Sequence, residues 1–79
     1  MTYNKLKTID LKGEVCPYTF VLTKLNLEEM DVNTVLEVIV DYLPAVENIP
    51  RSVKEQNLGE ILSVDKIGNN EWKLIIKKT

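Results

Sequence analysis

The chain has 79 residues, 44% hydrophobic and 28% charged, with 10 Lys and Arg against 12 Asp and Glu and a formal net charge of −2. That length holds one domain, 1–79, with a small core, and the charge argues against a module that binds nucleic acid by neutralising phosphates. A lone cysteine cannot close an internal disulfide, and the lack of any histidine excludes a Cys-His catalytic pair and the usual Cys/His zinc sites. No apolar run reaches the length of a secretory leader or a membrane span, so the expected compartment is the cytoplasm, with no membrane insertion, no metal and no cofactor.

Met1 to Asn4 should fray, and a first strand follows from about Lys5 to Leu11, with Ile9 and Leu11 on one face. Helix follows from near Pro17 to about Met30, with Tyr18, Val21, Leu22 and Leu25 at the i, i+3, i+4, i+7 spacing of a buried stripe. Asn33 tolerates a left-handed conformation and can reverse the chain. Thr34 to Val40 is rich in β-branched residues and apolar on both parities, the pattern of a central strand. Asp41-Tyr42-Leu43-Pro44 breaks that strand and opens a second helical segment with Val46, Ile49 and Val53 facing inward. Pro50 should kink this segment or divide it, and Asn57 or Gly59 should end it. A hairpin closes the chain: Glu60 to Ile67, a turn at Gly68-Asn69-Asn70, and Glu71 to Lys77, with Trp72, Leu74 and Ile76 toward the core. The order β-α-β-α-β-β with right-handed crossovers predicts an α/β (α+β) two-layer sandwich, a four-stranded mixed sheet with two helices packed on one face.

The chemistry concentrates at Gly13-Glu14-Val15-Cys16-Pro17-Tyr18-Thr19, where strand gives way to helix. Pro17 suits the first helical turn, where its missing N–H is not needed. Cys16 then falls beside backbone N–H groups with no carbonyl partner in the helix, which favour the thiolate and a nucleophilic sulfur. Glu14 opposes this and Lys12 offsets Glu14. The competing reading is an inert, buried cysteine. Glu28-Glu29 and Asp41 with Glu47 lack the convergent spacing of a metal site and read as surface charge.

Leu11-Lys12-Gly13-Glu14-Val15-Cys16-Pro17 resembles the opening signature of the small sulfur-carrier family that includes TusA and its SirA-like and YedF-like relatives. Met30, the turn at Asn33, Asp41 after the second strand and Ile49-Pro50 extend the resemblance along nearly the whole chain. The family motif is Cys-Pro-x-Pro, and here Thr19 stands in place of the second proline. Asn33 likewise replaces a turn glycine. The resemblance implies a sulfur carrier or sulfurtransferase that holds a sulfane sulfur as a persulfide on Cys16. It would take the sulfur from a donor protein, a cysteine desulfurase or a rhodanese-like protein, and pass it to an acceptor protein. Pro17 would set the helix start, and Glu14, Tyr18 and Thr19 would border the partner contact.

Two other classes fit parts of the pattern. Cys-Pro-Tyr-Thr looks like a glutaredoxin Cys-Pro-Tyr-Cys site that has lost its second cysteine, which would make a monothiol redox protein. Thr19 also suits a non-catalytic binding or regulatory module that keeps the fold without sulfur chemistry.

Overall fold

In a computed structural model, the structure describes residues 6–15 and 18–79. Its elements are β1 (Leu6–Asp10), α1 (Tyr18–Glu29), β2 (Val35–Val40), α2 (Leu43–Glu55), β3 (Gly59–Gly68) and β4 (Glu71–Lys78). The expected fraying of Met1 to Asn4 and the expectations for Cys16 and Pro17 lie outside the described residues.

The sheet has the order β1-β2-β4-β3, with β1 parallel to β2 and β4 antiparallel to both β2 and β3. Two strands that each run opposite to β4 run parallel to one another, so the chain moves from β1 to β2 to β3 in one direction across the sheet. Right-handed crossovers taken in the same direction leave their helices on the same side. Both helices therefore cover one face, and β4 threads back between β2 and β3. Leu36, Val38 and Val40 of β2 and Leu74 and Ile76 of β4 meet the helices on that face and are fully buried. The other face carries the opposite parity, with Glu37 accepting a hydrogen bond from Thr8 Oγ1 at 3.0 Å and facing Lys73 Nζ at 3.7 Å.

The two asparagines with positive φ stand at the chain reversals. Asn33 has φ 72° at the third position of a turn closed by Thr34 N–H donating to the Asp31 carbonyl at 3.2 Å. Asn57, with φ 54°, ends α2. Its N–H donates to the Lys54 carbonyl and the Leu58 N–H to the Val53 carbonyl, the paired bonding of a Schellman motif that satisfies carbonyls the helix would leave open.

Two expectations are corrected. Of the two outcomes expected at Pro50, a kink or a division, the division is overturned: α2 runs through Pro50 as one helix. A mid-helix proline costs about 3 kcal/mol, and full burial of a large aliphatic side chain returns about 1.5–3 kcal/mol. Ala45, Ile49 and Val53 are fully buried on both sides of the proline, so core packing holds both halves in one helix. The second correction concerns α1. Tyr18, Val21 and Leu25 lie on its exposed face, whereas Thr19, Thr23 and Leu27 are fully buried. Leu22 is half-buried, and with Phe20 and Met30 it packs against the core. Thr19 and Thr23 are short side chains, and the Thr23 hydroxyl donates to the Thr19 carbonyl at 2.8 Å. That bond removes most of the penalty for burying a hydroxyl.

Among the described residues no helix is long and apolar enough to cross a membrane.

Candidate functional site

Since β1 and β2 are parallel, both end at the same edge of the sheet, and α1 and α2 both begin there. The loop from β1 to α1 is fastened to that edge through its backbone. Leu11 N–H donates to the Ile39 carbonyl at 2.7 Å, which carries the β1–β2 ladder one residue past β1. Lys12 N–H donates to Asp10 Oδ1 at 2.9 Å, and Glu14 N–H donates to the Leu11 carbonyl at 3.1 Å. These two bonds curl the chain, and Gly13 takes up the turn with φ 91°. Among the described residues, its two chain neighbours aside, no atom lies within 4 Å of where a Cβ on Gly13 would sit, so glycine is called for by the backbone angle.

Asp41 is the main tie. Its Oδ1 accepts the Gly13 N–H at 2.9 Å, and its own carbonyl accepts a hydrogen bond from Asn70 Nδ2 at 3.2 Å. The loop after β1, the end of β2 and the β3–β4 turn are thus held together around one aspartate. Lys12 Nζ lies 3.9 Å from both Asp10 Oδ2 and Glu71 Oε2. At that exposure such ion pairs contribute little stability. They do place the Lys12 ammonium beside Asp10 and the start of β4.

The bonding that opens α1 reaches back to Val15, whose carbonyl accepts the Tyr18 N–H at 2.8 Å and the Thr19 N–H at 3.3 Å. Of the candidate site residues, Glu14 and Tyr18 are exposed at this edge and Thr19 faces inward, fully buried. Cys16 and Pro17 fall between Val15 and Tyr18 in the chain and lie outside the described residues. Sequence reasoning noted Asp41 as an acidic residue after the second strand but missed that it holds the Gly13 turn, and it placed Asn70 and Glu71 in the last hairpin without their ties to this edge. The available signal was topological: a parallel β1–β2 pair brings both strand ends, and hence Gly13 and Asp41, to one edge. Among the described residues no three His, Cys, Asp or Glu side chains converge as metal ligands.

A flexed loop at the carboxyl ends of parallel strands, beside two helix starts, is where open α/β sheets present reactive groups. Within that frame the sequence matches the family described as sulfurtransferase TusA over residues 7–78, and the chain belongs to that family. A relative in Archaeoglobus fulgidus, described as "Putative sulfur carrier protein", is 54% identical over 72 residues, 91% of this chain and 81% of that protein. One of the same description in Thermotoga maritima is 45% identical over 76 residues, 95% of this chain and 94% of that protein. The crystal structure of a SirA-like protein from Desulfitobacterium hafniense has the same fold. Its TM-score is 0.77 at 23% identity, covering 91% of this chain and 95% of the other.

Proposed function

We propose that this chain, acting as one domain, carries a sulfane sulfur as a persulfide on Cys16 and relays it from a donor protein to an acceptor. The observation that carries the reading is the setting of the residues on either side of that cysteine. Val15 and Tyr18 are both exposed, on the edge where the Gly13 turn and the first bonds of α1 meet. The neighbours that frame the cysteine in the chain are thus open to a docked protein.

The step is a thiolate displacement. The Cys16 thiolate attacks the outer sulfur of the donor's persulfide, the Cys16 S–S bond forms, the donor's S–S bond breaks, and the donor cysteine leaves as a thiolate. The proton on the outer sulfur travels with it, so charge and electrons balance with no further oxidant. Delivery to the acceptor repeats the displacement at the same outer sulfur. With one cysteine in the chain, no second thiol can expel the sulfur by closing an internal disulfide. The persulfide then persists until an outside nucleophile arrives. A lone reactive thiol also suits a reducing compartment such as the cytoplasm.

The test is intact mass after incubation with a cysteine desulfurase plus cysteine, or a rhodanese plus thiosulfate. The expected result is one added sulfur on the wild type and none on Cys16→Ser. Equal gain by the serine variant, or no gain by the wild type from any donor, overturns the carrier reading in favour of a non-catalytic binding module.

A further inference from the structure

The β3–β4 turn reaches the Gly13 edge through one side chain. Asn70 Nδ2 donates to the Asp41 carbonyl at 3.2 Å, across 29 positions of sequence. The conformation of the turn does not explain the asparagine. Asn33 and Asn57 have positive φ, whereas Asn69 and Asn70 do not, so the backbone at 70 accepts other residue types. The feature particular to Asn70 is its amide, which meets a peptide that the sheet has left behind.

The β2–β4 pairing ends at Val40 and Trp72, one residue short of Asp41. Beyond Asp41, α2 opens at Leu43 with Tyr42 as its N-cap and no side-chain bond from that cap. Asp41 therefore stands between the last rung of the sheet and the first turn of the helix. β2 holds its N-terminal side and Asn70 holds its carbonyl, which leaves the Cα between them, and the carboxylate it carries, little freedom. That carboxylate accepts the Gly13 N–H at 2.9 Å. Gly13 is three residues ahead of Cys16. In between, the Glu14 N–H is bonded back to the Leu11 carbonyl, and the Val15 carbonyl takes the first N–H groups of α1. A displacement at Gly13 thus passes along anchored residues into the start of the helix, and small displacements at a reacting group cost rate.

We propose that Asn70 is a positioning residue for sulfur transfer at Cys16, acting through the Asp41 peptide and the Gly13 turn. The proposal rests on the carrier reading. Wild type, Asn70→Ala, Asp41→Ala, Asp41→Asn and the double variant Asn70→Ala/Asp41→Ala are compared by three measurements. These are the rate of sulfur loading from inorganic polysulfide, the rate of alkylation by iodoacetamide, and solvent exchange of the Gly13 amide by NMR. Asp41→Asn keeps an acceptor oxygen for Gly13 and removes the charge. The expected result is that Asn70→Ala and Asp41→Ala each slow loading and alkylation by about threefold to tenfold and speed exchange at Gly13. Asp41→Asn stays within about twofold of wild type, and adding Asn70→Ala to Asp41→Ala changes nothing further. Wild-type rates in Asn70→Ala overturn the proposal, as does an equal further loss in the Asp41→Ala background or a slowed thiol with unchanged Gly13 exchange. Faster reaction in both Asp41 variants also overturns it, since the carboxylate would then act by its charge and not by its bond. A wild type that is alkylated but takes no sulfur from polysulfide overturns the carrier reading instead, and the alkylation rates with Gly13 exchange still decide whether Asn70 positions the loop.

Discussion

The proposed carrier role requires a reactive thiol at Cys16. A thiol next to the opening N–H groups of a helix titrates below the roughly 8.5 of a free cysteine, since those donors and the helix dipole stabilise the thiolate. The alkylation rate plotted against pH should therefore have its midpoint below that value, and a midpoint at or above it would remove the case for an activated sulfur. Thr19 is the other residue to probe. Its N–H makes only the longer of the two bonds to the Val15 carbonyl, 3.3 Å against 2.8 Å from Tyr18, so a proline at 19 leaves that carbonyl satisfied. Restricting the unfolded chain stabilises by about 0.4–1 kcal/mol, which offsets one lost backbone bond of about 0.5–1.5 kcal/mol. Thr19→Pro should keep the fold and move its stability by no more than about 1 kcal/mol in urea denaturation. A larger loss would mean that the buried hydroxyl matters more than the helix start.

Elements differ in how openly the sequence declares them. β2 was legible because Val35, Leu36, Val38 and Val40 are all apolar and a strand buried on its inner face between two neighbours needs little else. The parity of β4 was legible for the same reason, and Asn33 and Asn57 announced their turns by residue type. The orientation of α1 was not legible. Two faces of that helix satisfy a helical spacing: Tyr18, Val21 and Leu25 lie outside, whereas Phe20, Leu22 and Leu27 turn toward the core together with the two threonines. Periodicity identifies a helix with a stripe but cannot say which side the stripe serves. At Pro50 the sequence leaves a kink or a division open, and packing that only the assembled core supplies keeps the segment one helix. Gly59 was noted only as a helix terminator, yet its strict requirement belongs to the sheet. A Cβ there would lie 2.6 Å from the Lys77 carbonyl oxygen and 3.0 Å from Ile76 Cγ2. Gly59→Ala should cost about 1–3 kcal/mol as β3 is pushed off β4, read as a lower urea midpoint with an unchanged slope. An unchanged midpoint would show that the strand start shifts at no cost.

At the scale of the whole molecule, the strands are not equally secured. β4 is hydrogen-bonded on both sides and contributes two fully buried side chains, whereas β1 borders β2 alone and four of its five residues are exposed. Such an edge opens at lower free energy than the centre of the sheet. Amide exchange should therefore release β1 well before Leu74 and Ile76 of β4; equal protection would mean that the sheet opens only as a unit. The position of β1 in the chain also has a kinetic meaning. β3 and β4 join through a turn of adjacent residues, but β1 must find β2 across a separation such as the 29 positions from Thr8 to Glu37. Closing the longer loop costs more chain entropy before any contact repays it. The hairpin can thus form first, whereas β2 must reach β4 across separations from 32 (Val40 to Trp72) to 42 (Val35 to Lys77), a closure no cheaper than that of β1 onto β2; the exposed edge strand that leads into Cys16 is the part of the sheet first released when the molecule breathes.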